Sequence, residues 1–477
     1  MHRLLKASGK GVTMPEIPET PVETIELLRS RQREYYTSGA TRSITFRRRM
    51  LKRLLEGIKQ EEQAFIQALQ LDLGKSAFEA YANEMGIVYR EIRHARRHVA
   101  RWARRTSLLP DFYLLPGRGR IVPEPYGSAL ILAPWNYPMQ LLFAPLVAAL
   151  AAGNTAVIKP SELAPHTAAV SQRVIESCFP PEYVTVAQGG PEVSQHLIRQ
   201  GFDYLFFTGS VPVGRIIMQH AAEHLTPVTL ELGGKSPAVV DASADLDLAA
   251  RKIVWGKYNN AGQTCVAPDY VLAERSIADQ LVERMRSTIT GFYGEDPAVS
   301  PNYGRIINRR HFDRLAALLD AAPIIQGGNT NPDERYIEPT IMYPADWESA
   351  VMQDEIFGPL LPVIPFDTLN DAIARIRERD RPLALYAFTR SALAQRRLTE
   401  EISFGGGGIN CTIMHVASTK LPFGGVGSSG MGAYHGRAGF ETFSHRKSIL
   451  QQPARFDIPI AYPGKQISMR LLRRILR

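Results

Sequence analysis

Residues 127–160 read GSALILAPWNYPMQLLFAPLVAALAAGNTAVIKP, and this stretch decides the fold. A short run of strand formers, SALIL, stops at Ala133-Pro134; an apolar stretch over 139–152 then closes on Gly153-Asn154; a second run, TAVIK, stops at Pro160. Strand, buried helix and strand in that order predict a βαβ unit, whose two strands lie parallel. The rhythm extends outward on both sides. YVTVAQGG (183–190), YLFFTGS (204–210), PVTLELGG (227–234) and PAVVDA (237–242) read as strands, with helical segments over 166–179 and 211–223 between them. It resumes beyond 245 with DLDLAARKIVWGKYNN, then DYVLAE (269–274), then a helix to about Ile289. The fold class is therefore α/β: two open parallel-sheet lobes covered by helices and joined near residue 232.

The 90 or so residues ahead of this region read as helix. Phe46, Met50, Leu54, Leu55, Ile58, Phe65, Ile66 and Leu69 recur near a 3.6 period over 44–71, and a second helical stretch covers about 77–103. Its basic face, HARRHVARWARR, and the earlier RRRMLKR read as solvated helix faces, since no nucleic-acid motif surrounds either. The whole chain has 477 residues, 45% hydrophobic and 22% charged, with a net charge of +9. That excludes a disordered chain and leaves room for two or three domains. The charge sits at the ends: residues 1–120 balance +10 and 446–477 balance +7, so the middle is acidic. Such ends permit an anionic partner without requiring one. Three cysteines make no disulfide framework and point to a reducing, cytoplasmic compartment. The basic N-terminus lacks the apolar core of a signal peptide, and the apolar stretch Leu141–Gly153, interrupted by Pro145, is too short to span a bilayer.

Several motifs mislead. GVGSSG at 425–430 matches G-x-G-x-x-G, but KLPFG before it and GMGAYHG after it are loop chemistry, with neither the strand nor the helix a dinucleotide turn needs. His220, Glu223 and His224 fit H-x-x-E-H, yet no third ligand stands nearby, so no metal is expected there or at His94 and His98. Cys178 in IESCFPP reads as a small core residue and Cys411 in GGGINCTIMH as part of a glycine loop.

Cys265 differs from these. NNAGQTCVAPD is a polar, glycine-containing stretch between a helix and a strand, which can present a thiol to a cleft with its own backbone N–H as oxyanion donor. Taken alone, a structural cysteine fits as well. Glu231, in PVTLELGGKSP, ends a strand, where an acid suits a general base or, equally, a salt bridge to Lys235. Asn136, held between prolines in LILAPWNYP, offers an amide to a developing oxyanion, though turn chemistry uses the same residues.

PWNYP, IKPSE, FTGSVPVG, ELGGK, NAGQTC, EIFGP and PFGGVG occur in this order, and the chain resembles the aldehyde dehydrogenase superfamily from about Thr24 to Lys447. Tyr137 and SGATRS (38–43) make it similar to a class 3-type member. The resemblance implies two Rossmann-like lobes with a small oligomerisation hairpin. On that division 1–20 is a basic extension, 21–116 and 127–232 bind cofactor, 233–445 is catalytic, and 117–126 with 446–477 forms the hairpin and tail, GRIVPEPYG (119–127) being the hairpin candidate. It implies oxidation of aliphatic or aromatic aldehydes to carboxylic acids through a thiohemiacetal and a thioester on Cys265, with Asn136 at the oxyanion and Glu231 activating water. Cofactor roles follow in the same way: Lys159 and Glu162 at the adenosine ribose, Gly209, Ser210 and Gly214 at the pyrophosphate, Glu355 and Phe357 at the nicotinamide riboside. The acid at 162 favours NAD, and class 3-type members accept NADP too. A homodimer is implied. Glu231 counts against the CoA-acylating relatives, and the presence of all three catalytic residues counts against a silent binding protein on the same scaffold. Beyond the resemblance, PGKQISMRLLRRILR (463–477) sets Ile467, Leu471 and Ile475 on one stripe amid arginines, which suits weak peripheral contact with an anionic membrane or packing against a subunit.

Overall fold

The computed structural model describes residues 18–457, 462–464 and 468–475, so most of the basic extension and both Ile467 and Arg477 of the tail lie outside the described residues. The βαβ unit forms as its sequence dictates. Ser128–Leu132 and Thr155–Lys159 pair in parallel and every residue of both is buried. Runs apolar on both faces suit strands in the middle of a parallel sheet, where each large side chain withdrawn from water contributes about 1.5–3 kcal/mol. Between them, the helix Gln140–Ala152 is buried all round and runs through Pro145 without ending. It stops at Gly153, whose φ of 102° and tight packing on Arg47 leave no room for a Cβ.

The first lobe is a six-stranded sheet in the order Gly430–Met431, Val228–Glu231, Tyr204–Thr208, Ser128–Leu132, Thr155–Lys159, Val184–Val186. All neighbours are parallel except the first pair. The chain winds outward from Ser128–Leu132 in one direction, then returns to build the other side. A doubly wound sheet of this kind opens a crevice at the carboxyl ends of its strands where the order reverses, here between Ser128–Leu132 and Tyr204–Thr208.

The second lobe is a seven-stranded sheet in the order Ile324–Gln326, Thr340–Met342, Leu360–Phe366, Tyr270–Glu274, Pro237–Val240, Ala384–Phe388, Gly406–Ile409, again parallel but for its first pair. The chain then comes back to the first lobe. Gly430–Met431 lines the edge of the first sheet, and the helix Gly436–Thr442 lays Phe440 5.8 Å from the Trp102 ring.

Two segments differ from the sequence expectation. The helical period over 44–71 breaks at Glu61, whose φ of −96° and ψ of 13° leave the helix, into Ile44–Gln60 and Glu62–Leu73, with the buried stripe continuing across the break. GRIVPEPYG does not fold on itself. Arg118–Pro125 is the middle strand of an antiparallel sheet between Thr106–Leu108 and Ser444–Gln451, so the hairpin arm precedes it and its long partner comes from the end of the chain. At the tail, Met469–Ile475 is a short helix on which Leu471 is exposed. No helix among the described residues is long and apolar enough to cross a membrane.

Candidate active site

The segments that carry the predicted site residues lie at the ends of strands of the two sheets. From the first sheet come the segments that follow its strands: Asn136 after Ser128–Leu132, Lys159-Glu162 at the end of Thr155–Lys159, Gly209-Ser210 after Tyr204–Thr208, and Glu231 as the last residue of Val228–Glu231. From the second come segments that precede strands: Cys265 before Tyr270–Glu274, and Glu355 and Phe357 before Leu360–Phe366.

Cys265 sits beyond a forced elbow. The helix Leu246–Tyr258 ends, and Asn260, Ala261 and Gly262 follow with φ of 53°, 51° and 77°. Three left-handed residues in succession cost backbone energy and persist only where the surroundings fix them. The fixing contacts are visible. Gln263 Nε2 donates to the carbonyls of Asn260 at 3.0 Å and Arg305 at 2.9 Å, while its Oε1 accepts from Ile307 N at 2.9 Å. At Gly262 the Gly358 carbonyl oxygen stands 2.2 Å from where a Cβ would be, so the elbow is pressed against EIFGP. Tyr386 Oη holds the Val266 carbonyl at 2.6 Å. The thiol is half-buried, and burial pushes its pKa up, with the charges of Glu355 and Glu231 adding; the backbone N–H groups of Cys265 and Val266 act the other way.

Asn136 is 3% exposed, and its Nδ2 donates to the Gln263 carbonyl at 3.0 Å, so the amide is tied to the thiol loop itself. Next to it, Tyr137 Oη and Thr264 Oγ1 are 2.7 Å apart, and Trp135 meets the Phe357 ring edge-on at 5.4 Å. Glu231 is 2% exposed, and neither of its carboxylate oxygens has a hydrogen-bond partner among the described residues. Burial holds its carboxyl well above the usual range. The alternative of a Glu231–Lys235 salt bridge is not what forms: Lys235 pairs with Asp269 and donates to the carbonyls of Asp354 and Val351 at 2.8 Å and 3.1 Å. Glu355 lies directly on Gly233 of ELGGK, its Oε2 1.9 Å from where a Cβ would be, and burial pushes its carboxyl up to about 8 against the pull of the Gly234 N–H and Lys235.

On the far side of the crevice Lys159 Nζ meets Glu162 Oε2 at 2.7 Å. Ser210 precedes the helix Val211–His224 without capping it by its side chain, and Gly214 packs so closely on Leu232 that a Cβ would stand 2.7 Å from Cδ2. The misleading motifs take other forms. GVGSSG is a short turn leading into the edge strand Gly430–Met431, which pairs with Val228–Glu231, and not a strand–turn–helix. His220 pairs with Glu223 at 3.1 Å while His224 turns to the Arg199 carbonyl, and no group of three His, Cys, Asp or Glu suited to a metal occurs among the described residues. The His94 and His98 rings lie 4.2 Å apart, tilted by 37°, Cys178 is buried in the first lobe's core, and Cys411 sits under Gly408.

Sequence reasoning missed the polar scaffold behind these residues: Lys75, Glu84, Asn260, Gln263 and Asp269 are all buried. Only the run NNAGQ carried a signal, as amides too dense for a solvated turn beside an apolar helix.

The chain is similar to known proteins along nearly its whole length. Residues 7–449 match the model of the aldehyde dehydrogenase family. The 4,4'-diaponeurosporen-aldehyde dehydrogenase of Staphylococcus aureus is 48% identical over 431 residues, covering 90% of this chain and 94% of that one. The rat protein named aldehyde dehydrogenase, dimeric NADP-preferring, is 44% identical over 427 residues, covering 88% and 93%. The solved substrate-bound state of Staphylococcus aureus AldH superposes with a TM-score of 0.92 at 46% identity, covering 95% of this chain and 99% of that one. With its doubly wound lobes and the seven motifs gathered between them, the chain belongs to the aldehyde dehydrogenase family and is an oxidoreductase that converts aldehydes to carboxylic acids with NAD or NADP.

Proposed function

We propose that Cys265 is the nucleophile of this reaction, that the Asn136 side-chain amide and the Cys265 backbone N–H receive the oxyanion, and that Glu231 activates the water of the second half. The observation that carries the reading is the state of Glu231: a carboxyl at a strand's end, buried, with neither oxygen hydrogen-bonded to any of the described residues. A structural acid at this depth is normally paired; this one is left to engage solvent and substrate.

The thiol gives its proton to solvent as the sulfur attacks the aldehyde carbon; the C–S bond forms, and the carbonyl electron pair moves to oxygen, where the amide of Asn136 and the Cys265 N–H stabilise it. The dinucleotide, when bound, supplies the acceptor for the hydride that leaves the same carbon, and a thioester on Cys265 results. Water deprotonated by Glu231 then adds to the thioester carbon, the C–S bond breaks toward sulfur, and the acid departs. A carboxyl raised above its ordinary pKa is the stronger base for this task.

The same reading gives Lys159 and Glu162 the adenosine ribose, Gly209, Ser210 and Gly214 the pyrophosphate, Glu355 the nicotinamide ribose and Phe357 the flank of the ring. Support lies in the fit. The first turn of Val211–His224 has no side-chain cap, which leaves N–H groups for an anion, and these residues border the crevice of a doubly wound sheet. Residues 21–116 and 127–232 form the cofactor domain in this scheme, 233–445 the catalytic domain, and 117–126 with 446–477 the pairing element and tail. A cytoplasmic homodimer follows, supported by the rat relative's name and by exposed Leu108, Leu109, Phe112 and Leu450 on and beside the three-stranded sheet. Exposed Met469 and Leu471 beside Arg473 and Arg474 support weak membrane contact by the last helix.

Cys265→Ala tests the core of the reading: turnover and any first-turnover release of NADH both disappear, with product analysis with and without CoA separating hydrolysis from acyl transfer. Retained turnover in Cys265→Ala refutes it. Light scattering at a monomer's mass overturns the dimer, and equal vesicle pelleting by the full chain and a chain truncated at Pro463 removes the membrane contact.

A further inference from the structure

Behind the Asn136 amide lies a buried ion pair that none of these steps uses. Lys75 and Glu84 are both fully buried, with Lys75 Nζ 2.6 Å from Glu84 Oε1. The same ammonium donates to the main-chain carbonyl of Asn136 at 2.8 Å and stands 4.0 Å from the centre of the Tyr137 ring. The second oxygen of Glu84 accepts from Met139 N at 2.8 Å and Gln140 N at 3.2 Å, at the start of the buried helix Gln140–Ala152. Asn260 Nδ2, from the thiol loop, gives the Asn136 carbonyl its second donor at 2.8 Å. Segment 136–140 is thus gripped at both ends by one pair of charges. Holding two ions at this depth costs several kcal/mol each in desolvation, and apolar residues of the same volume stabilise a fold as well or better. What the pair supplies that apolar residues cannot is direction at one carbonyl.

We propose that Lys75 is a positioning residue for the oxyanion donor. It touches no reacting atom; by fixing the Asn136 peptide it aims the side-chain amide, one N–H of which goes to the Gln263 carbonyl and the other to the oxyanion. The inference rests on Asn136 being an oxyanion donor, and the experiment separates the two claims.

The probes are p-nitrophenyl acetate, whose attack by the thiol builds an oxyanion and needs no dinucleotide, and iodoacetamide, which alkylates the same thiol by displacement with no oxyanion. Asn136→Ala slows the acylation burst by about 10²–10³-fold and leaves alkylation unchanged. Lys75→Met slows acylation by about tenfold or more, a part of that same effect, and also leaves alkylation unchanged. The double variant Lys75→Met/Asn136→Ala is no slower than Asn136→Ala, since both act on one amide. Because Lys75→Met strands Glu84 without its partner, Lys75→Met/Glu84→Gln is measured in parallel; it restores melting temperature without restoring acylation. Equal slowing of both probes by Lys75→Met, unchanged acylation, additive loss in the double variant, or full rescue by Glu84→Gln overturns the positioning role. Unchanged acylation in Asn136→Ala overturns the oxyanion reading itself, and the role of Lys75 with it.

Discussion

Replacing Glu231 by Gln is the most informative single change, because the structure isolates what it removes. Neither carboxylate oxygen has a partner among the described residues, so no hydrogen bond or ion pair to them is lost and the amide occupies the same volume. The loss is confined to base catalysis. General-base assistance contributes typically 10²–10⁴-fold, about 3–5 kcal/mol at the barrier. In stopped flow, Glu231→Gln should release one equivalent of NADH per thiol at close to the native rate and then stall, with steady-state turnover reduced by about 10²–10⁴-fold. A second readout has a fixed sign. Burial raises the carboxyl's pKa in the folded chain, so the stability it contributes is fully present below the ordinary carboxylate range and is lost as pH rises toward the folded value. The Gln variant lacks this dependence and should melt higher than the native chain at alkaline pH, with no such gain in acid. A missing burst, or an unchanged steady state, refutes the assignment of Glu231 to deacylation; a lower melting temperature at alkaline pH refutes the claim that the site is unpartnered.

Three further outcomes follow from contacts in the structure. Glu162→Gln, which removes the acid bonded to Lys159, should raise kcat/KM with NADP relative to NAD by about tenfold, the equivalent of about 1.4 kcal/mol of relieved repulsion against a 2′-phosphate. Glu79 is buried beside the Asn260 backbone and its carboxyl is pushed up to about 7 by desolvation, against the pull of Lys75; the gap from 4.5 corresponds to about 3 kcal/mol, present below pH 4.5 and lost as pH rises through about 7. Denaturant unfolding of Glu79→Gln across that window should therefore show a flatter profile, and an unchanged slope refutes the attribution. Lys235→Met breaks the buried pair with Asp269, whose other oxygen holds Ile356 N at 3.0 Å; it should cost about 3–5 kcal/mol and raise KM for the dinucleotide by loosening EIFGP.

The strands were readable because burial on both faces leaves a local trace: SALIL, TAVIK and YLFFT are apolar at every position or nearly so, and each stops at a turn residue. Cys265, Glu231 and Asn136 stood out less by themselves: Glu231 ends a strand, Asn136 follows one and Cys265 precedes one, and it was the ordered set of motifs that singled them out. The scaffold was not readable. Lys75 meets Asn136 across 61 residues and Asn136 meets Gln263 across 127, and no periodicity carries a contact of that span. A lysine in LGKSAFEA looks like any surface lysine until Glu84 closes over it. Lys235 shows the converse failure. Glu231 lies four residues away in sequence, but within a strand and its following loop that spacing sets no face in common, and the true partner, Asp269, arrives from the loop just before Tyr270–Glu274. Gly430–Met431 was hidden because two residues of edge strand leave no pattern.

The way the two sheets meet explains why one short motif carries so much. The first sheet turns the carboxyl ends of its strands toward the crevice, and the second turns the amino ends of its strands toward the same place. A chain passing from one to the other must leave a strand at the crevice and enter the next strand from the crevice, which is the path of residues 231–237. ELGGK is therefore both hinge and site: Glu231 terminates the last parallel strand of the first sheet, Gly233 admits the Glu355 carboxylate where any Cβ would collide, and Lys235 anchors the start of the second sheet through Asp269. This linker joins the strand that carries Glu231 to the sheet whose loop carries Cys265. Gly233→Ala displaces Glu355 rather than Glu231, so it should raise KM for the dinucleotide while leaving thiol alkylation by iodoacetamide intact; a variant that loses alkylation instead would mean that the linker positions Cys265, and the division of the site between the two lobes would have to be redrawn.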